Sequence, residues 1–172
     1  MLKLIIWITT VGWSPFAVIN PLWAYCKNYK EIPDKIILIH TPYEKIKENL
    51  NICKRYISEI LKTYNEKGLN EIFIIEEEIE NDSLELYANM LKKIIHREIY
   101  QKPKKIILDI TPGRKYMSAI NLIFASRIEN LVIQAFYLYL YENFYQNIPY
   151  PLTPIIKNNL IDIMEFKLDF ED

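Results

Sequence analysis

Glycine is nearly missing from this chain: 172 residues hold three, Gly12, Gly68 and Gly113. A glycine-rich phosphate loop is therefore excluded. No G-x-G-x-x-G follows the first apolar run, which argues against a dinucleotide cofactor, and no cofactor of any kind is called for. The Walker lysine pattern and the G-x-S-x-G elbow are absent as well. Cysteine is scarce: Cys26 and Cys53 both fall in helical stretches, without C-x-x-C or His-rich spacing. That excludes a disulfide scaffold and a structural zinc site, and it suits a reducing cytoplasm. An excess of one charge is also lacking, since 21 Lys and Arg face 22 Asp and Glu for a net charge of −1. Long nucleic acid has no global positive field to follow here. A small anionic ligand needs only a few local cations.

Charge is missing altogether between Lys3 and Lys27, a stretch long enough to span a bilayer. Thr9, Thr10, Gly12, Ser14, Pro15, Asn20 and Pro21 interrupt it with polar groups and turn formers. No small-residue cleavage site ends an apolar block, so neither a membrane segment nor a signal peptide is expected.

What is present is an alternation of strand and helix. Apolar runs rich in β-branched residues predict buried strands over 2–8, 35–39, 71–75, 105–110 and 131–139. Continuous runs of that kind belong to parallel strands covered on both faces. Thr41-Pro42-Tyr43-Glu44 has the form of a capping box with proline at the first helical position. The helix it opens puts Ile46, Leu50, Cys53, Ile57, Ile60, Leu61 and Tyr64 on one face, with Gly68 as its stop. Asp82-Ser83-Leu84-Glu85 opens another, and a fourth helical face follows Gly113. Alternation with right-handed crossovers predicts an α/β fold: a Rossmann-like, mostly parallel sheet with helices on both faces. Pro149, Pro151 and Pro154 mark an irregular crossing, after which Met164, Phe166, Leu168 and Phe170 alternate with polar residues as an antiparallel edge strand would. The expected organisation is one domain over 1–172, with a core over about 1–141 and a C-terminal extension over about 142–172.

In such a sheet ligands bind beyond the carboxyl ends of the strands, where the strand order reverses. For the order 3-2-1-4-5 the loops at that point run from Thr9 to Pro15 and from Asp109 to Lys115. They hold two of the three glycines, each read as a positive-φ turn, a close backbone approach, or an ordinary tight turn. Arg114 and Lys115 open a helix, where the dipole disfavours cations unless an anion joins them. With a phosphate present, backbone N–H groups, the Arg fork and the Lys charge converge on it; without one, both side chains reach into solvent. Thr9, Thr10 and Ser14 add hydroxyls suited to a phosphodiester or a sugar, although Ser14 before Pro15 equally reads as a helix N-cap. Asp109 pins its own loop through Thr111. His40 ends the second strand on the ligand edge in a capping or core role, and His96 lies among Lys92, Lys93 and Arg97 on a surface. Glu76-Glu77-Glu78 reads as a solvated loop rather than a metal site. Tyr137, Tyr139 and Tyr141 alternate on one face and are assigned to core or subunit packing.

Two of these segments resemble a known family. Thr10-Val11-Gly12-Trp13-Ser14-Pro15, taken with Asp109-Ile110-Thr111-Pro112-Gly113-Arg114-Lys115-Tyr116-Met117-Ser118, is similar to the paired motifs of the CRISPR-associated Rossmann fold, or CARF, domain. Pro112 stands where the family often has glycine, and Pro21 would break a helix begun at Ser14, leaving Asn20-Pro21 as a second start. The resemblance implies a cytoplasmic homodimer that binds a cyclic oligoadenylate across its two-fold axis. It further implies a stand-alone ring nuclease, since no R-x-x-x-x-H ribonuclease signature and no room for an effector domain are found.

On that reading the chain cleaves cyclic tetra-adenylate without a metal, by attack of a ribose 2′-OH on its own 3′-phosphate, and switches off type III CRISPR signalling. Ser14, Arg114 and Lys115 are the catalytic candidates. Thr9, Thr10, Gly12, Trp13, Thr111, Pro112, Gly113 and Lys157 are the ligand-binding candidates, with Lys157 closing over the ring from the tail. Trp13, Phe16 and Met117 are the expected apolar contacts of the dimer. The rivals are a non-catalytic sensor of the same messenger and a domain for some other nucleotide.

Overall fold

The computed structural model describes residues 4–65, 73–129 and 131–166. Strand β1 (Ile5–Thr10) leads to α1 (Pro15–Tyr29), β2 (Lys35–His40), α2 (Glu44–Tyr64), β3 (Phe73–Glu78), α3 (Leu84–Ile99), β4 (Lys105–Asp109), α4 (Lys115–Arg127) and β5 (Val132–Leu140). Three short 3-10 turns then lead to β6 (Asn158–Asp162). The six strands form one sheet in the order β3-β2-β1-β4-β5-β6. All neighbours are parallel except β5 and β6, which pair antiparallel with Tyr137 opposite Ile161.

Strand periodicity divides the core. Ile5 and Trp7 of β1, Ile36 and Leu38 of β2 and Ile107 of β4 pack against α1 and α2 on one face. Ile6, Ile8, Ile37, Ile39, Ile106 and Leu108 pack against α3 and α4 on the other. Because both faces are covered, β1, β2 and β4 are buried along their whole length, which is why they read as unbroken apolar runs. Cys26 and Cys53 are free and buried, and burial pushes both thiols up to about 12.

Several local expectations are corrected. Helix α1 begins at Pro15 and runs through Pro21. The cost of that interior proline, about 3 kcal/mol, is offset where Asn20 beside it ties the helix to the tail. Asn20 Nδ2 donates to the Ile148 carbonyl at 2.8 Å, and Tyr150 N–H donates to Asn20 Oδ1 at 2.9 Å. Thr41 does not cap α2; Tyr43 holds that position, and its carbonyl accepts the N–H groups of Ile46 and Lys47. Ser83 caps α3. Glu76, Glu77 and Glu78 lie within β3 rather than after it, ion-paired to Lys54, Arg97 and Lys47 respectively.

The antiparallel edge strand exists but lies earlier in the chain than the alternation suggested. Asp162 ends it: its carboxylate accepts the N–H groups of Ala135 and Met164, and the chain turns there. Residues 167–172 and Gly68 lie outside the described residues. The tyrosines of β5 are not core. Tyr137 and Tyr139 alternate with the buried Phe136 and Leu138 and stay open to solvent, as does Tyr141 beyond the strand.

Candidate functional site

The strand order reverses between β1 and β4, and a cavity of about 260 Å³ opens there beyond their carboxyl ends. The β1–α1 loop supplies Thr10, Gly12, Trp13 and Ser14, and the β4–α4 loop supplies Thr111, Pro112, Gly113 and Arg114. His40 and Thr41 close it from the end of β2, and Asp82 from the approach to α3.

The two loops touch at their glycines. A Cβ built on Gly12 would lie 3.6 Å from the Gly113 nitrogen, and Gly113 has a φ of +88°. Only the second is a positive-φ position; Gly12 serves the close approach. Beneath Gly113, the Met117 sulfur accepts the Arg114 N–H at 3.5 Å and so tightens the first turn of α4.

Hydroxyl protons around the cavity are spent inward. Thr9 donates to Asp109 Oδ2 at 2.9 Å, and Thr9 does not line the cavity. Tyr87 donates to Asn121 Oδ1 at 2.8 Å, so its oxygen, 3.1 Å from Thr10 Oγ1, accepts the Thr10 proton. Burial pushes the Tyr87 phenol up to about 12 and keeps it a donor at neutral pH. Ser14 is the N-cap of α1 without capping it; its hydroxyl donates to Asn147 Oδ1 at 3.2 Å, in the C-terminal extension. Thr10 and Ser14 thus have no free hydroxyl proton for an anion, and backbone N–H groups and Arg114 are donors that remain at the two loops.

Arg114 is exposed and its Nε pairs with Asp82, whose other oxygen accepts the Tyr116 hydroxyl at 2.5 Å. Asp82 had the sequence signature of a helix start only, and its place opposite Arg114 follows from β3 and β4 ending on the same edge. Tyr87 and Asn121 left no signal, being mid-helix positions. Lys115 is exposed at the first position of α4 and does not line the cavity. Lys157 lies away from it too, ion-paired to Glu142. Asp109 is buried below both loops, accepting the Thr111 N–H at 3.0 Å as well as the Thr9 hydroxyl, and burial pushes its carboxyl up to about 7 despite those bonds.

A second cavity of about 310 Å³ adjoins the first and shares Ser14, Ala17 and Thr111 with it. Its far wall is Tyr137, Leu138 and Leu140 of β5 with Asn143 and Gln146 of the extension. Among the described residues no group of three or more His, Cys, Asp or Glu is placed to hold a metal. No helix among them is long and apolar enough to cross a membrane.

No family model and no curated protein matches the chain. Solved structures do. Enterococcus italicus Csm6, bound to cyclic hexa-2′-fluoro-hexa-dAMP, superposes with a TM-score of 0.65 at 12% identity over 94% of this chain and 43% of its own. The likeness is one of fold. Protein VC1899 from Vibrio cholerae gives a TM-score of 0.52 at 14% identity, over 76% of this chain and 30% of its own. Can2 from Sulfobacillus thermosulfidooxidans, in complex with cyclic tetra-adenylate, gives 0.47 at 16% identity, over 77% of this chain and 31% of its own. The chain thus spans less than half the length of each of these proteins.

Of the apolar residues expected at a dimer contact, Trp13 is 71% exposed, Phe16 is half-buried, and Met117 is 5% exposed. Met117 is spent inside the subunit, beneath Gly113.

Proposed function

We propose that this chain binds a cyclic oligoadenylate at the β1–β4 switch point and, as a homodimer, cleaves cyclic tetra-adenylate without a metal. One observation carries the reading: the Gly12 and Gly113 loops meet backbone to backbone under the amino end of α4, with the Arg114 guanidinium at the rim. Free N–H groups and a cation there suit a phosphodiester. The likeness of fold to a Csm6 structure holding a cyclic adenine oligonucleotide supports the ligand class. At about 260 Å³ the cavity is smaller than the roughly 300–1,000 Å³ of sites that enclose a drug-sized ligand, so it takes part of a ring and leaves the rest to a two-fold partner.

The chemistry is an in-line transesterification. The ribose 2′-oxygen attacks its 3′-phosphorus, the bond to the 5′-oxygen breaks, and a 2′,3′-cyclic phosphate forms; repeated in both subunits it yields linear di-adenylate. Positioning and neutralisation of the phosphorane oxygens supply most of the catalysis. Arg114 clamps a phosphate. Lys115 swings in from the rim to meet charge at the leaving oxygen and give it a proton. Ser14 orients the ribose once its bond to Asn147 is exchanged. Thr10 shapes the floor with Thr9 behind it on Asp109, Trp13, Thr111 and Pro112 flank the ring, and Lys157 closes from the tail on release from Glu142.

The second reading is a sensor that holds the ring intact. It is favoured by the same distances: the Ser14 hydroxyl is engaged by Asn147, and Lys115 stands off the cavity. Incubation of the protein with labelled cyclic tetra-adenylate in EDTA separates the readings. Conversion to di-adenylate cyclic phosphate is expected. Retention of the intact ring on the protein would establish the sensor, and absence of binding would overturn both.

A further inference from the structure

The proposed cleavage needs a group to take the 2′-OH proton, and none of Ser14, Arg114 and Lys115 is assigned that task. Around the cavity Thr10 and Ser14 give their protons to Tyr87 and Asn147, and the Asp82 carboxylate is held by Arg114 and Tyr116. His40 remains. It ends β2 beside β1 and lines the cavity while staying 4% exposed. Its Nδ1 lies 3.1 Å from the Thr41 carbonyl oxygen. A carbonyl can only accept, so Nδ1 carries the proton in the neutral ring and Nε2 is left with its lone pair.

We infer that His40 is the general base of this site: Nε2 takes the ribose 2′-OH proton while the Thr41 carbonyl holds the ring and its tautomer. The inference rests on the cleavage reading above. As O2′ bonds to phosphorus the P–O5′ bond breaks, and O5′ receives a proton from Lys115; exchange with water returns both side chains to their starting forms. Net, one proton moves from O2′ to O5′, and no oxidant, metal or water is consumed.

Charged groups stand around the ring. Glu78 of β3 lies 3.9 Å from Nδ1. Lys47 of α2 lies 3.1 Å from that same carboxylate. Glu76 shares the outer pocket with them, while Asp82, Arg114 and Tyr43 line the cavity together with His40.

The test is single-turnover cleavage of cyclic tetra-adenylate by the wild-type protein, His40→Gln, His40→Ala and Glu78→Gln from pH 5 to 9, beside equilibrium binding of the ring. The wild-type rate should rise with pH and level off. His40→Gln should lose about 10²- to 10⁴-fold in rate, lose that limb, and keep its affinity within about threefold. Added imidazole should partly restore His40→Ala, which a structural role would not allow. Glu78→Gln leaves the buried ring in place, so it reports even if the His40 variants fold poorly, and its pH–rate profile should differ from that of the wild type. Wild-type cleavage with an unchanged rate and profile in His40→Gln, or with an unchanged profile in Glu78→Gln, would overturn the base assignment alone. A wild-type protein that binds the ring and never cuts it would overturn the assignment together with the cleavage reading.

Discussion

Thr9 and Asp109 sit one strand apart at the switch point, and the Thr9 hydroxyl donates to the buried Asp109 carboxylate at 2.9 Å. The other oxygen of Asp109 holds the Thr111 N–H, and the Thr111 hydroxyl in turn accepts the Leu138 N–H at 2.9 Å. One side chain thus sets the height of both ligand loops and ties the second to β5.

That carboxyl should make stability depend on pH. Burial raises it from an ordinary 3.8 to about 7. Between those values the folded chain keeps a proton that the unfolded chain has lost, so stability falls as pH rises through the window and levels off above it. At about 1.4 kcal/mol per unit the loss is on the order of 4 kcal/mol. Asp109→Asn mimics the protonated form, so it should flatten the slope and raise Tm above wild type at pH 8 while changing little at pH 3. Equal slopes in both proteins would show that Asp109 is not the group responsible.

The two loop glycines should behave differently. An alanine Cβ at Gly113 would meet the Met117 sulfur at 3.1 Å and Thr10 Cβ at 3.4 Å, in a backbone conformation that L residues resist. Gly113→Ala should cost about 1–2 kcal/mol and weaken ring binding. At Gly12 the added atom makes ordinary contacts of 3.6 and 3.8 Å, so Gly12→Ala should keep the wild-type Tm. Chemical denaturation of both variants reads the contrast.

Asp82 holds the Arg114 guanidinium. Freeing it should help an anion, so Asp82→Asn is expected to tighten ring binding by roughly fivefold, the scale of one exposed ion pair. Arg114→Ala should weaken it by about 10- to 100-fold, as loss of a charge-assisted bond does. Calorimetric titration with cyclic tetra-adenylate measures both.

Lys115→Ala should lower turnover far more than affinity if the ammonium serves the transition state. Parallel losses would make Lys115 a phosphate anchor only.

Asn20 ties the tail to α1 through two bonds from one buried amide. Asn20→Ala should cost about 2–3 kcal/mol through unsatisfied backbone groups at Ile148 and Tyr150. Hydrogen exchange at 147–153 should rise ahead of the sheet, and unchanged protection there would refute the tether.

The parallel core was legible because burial on both faces writes itself as uninterrupted β-branched runs, and helices on each side write a 3.6-residue stripe. Those runs, with the strand order usual for such sheets, gave the order 3-2-1-4-5 and the edge on which the cavity opens. Gly113 stood out because so few glycines surround it. What the chain could not disclose locally was every proton direction at the site: that Thr10 faces Tyr87, that Ser14 is held by Asn147 133 residues away, and that Asp82 answers Arg114. Those pairings join elements far apart in sequence, and no periodicity encodes them. The edge strand and the exposed tyrosines were misplaced for a related reason. Alternation marks a half-buried strand wherever it occurs, and only the turn at Asp162 and the uncovered side of β5 decide which alternating segment pairs and which face meets water.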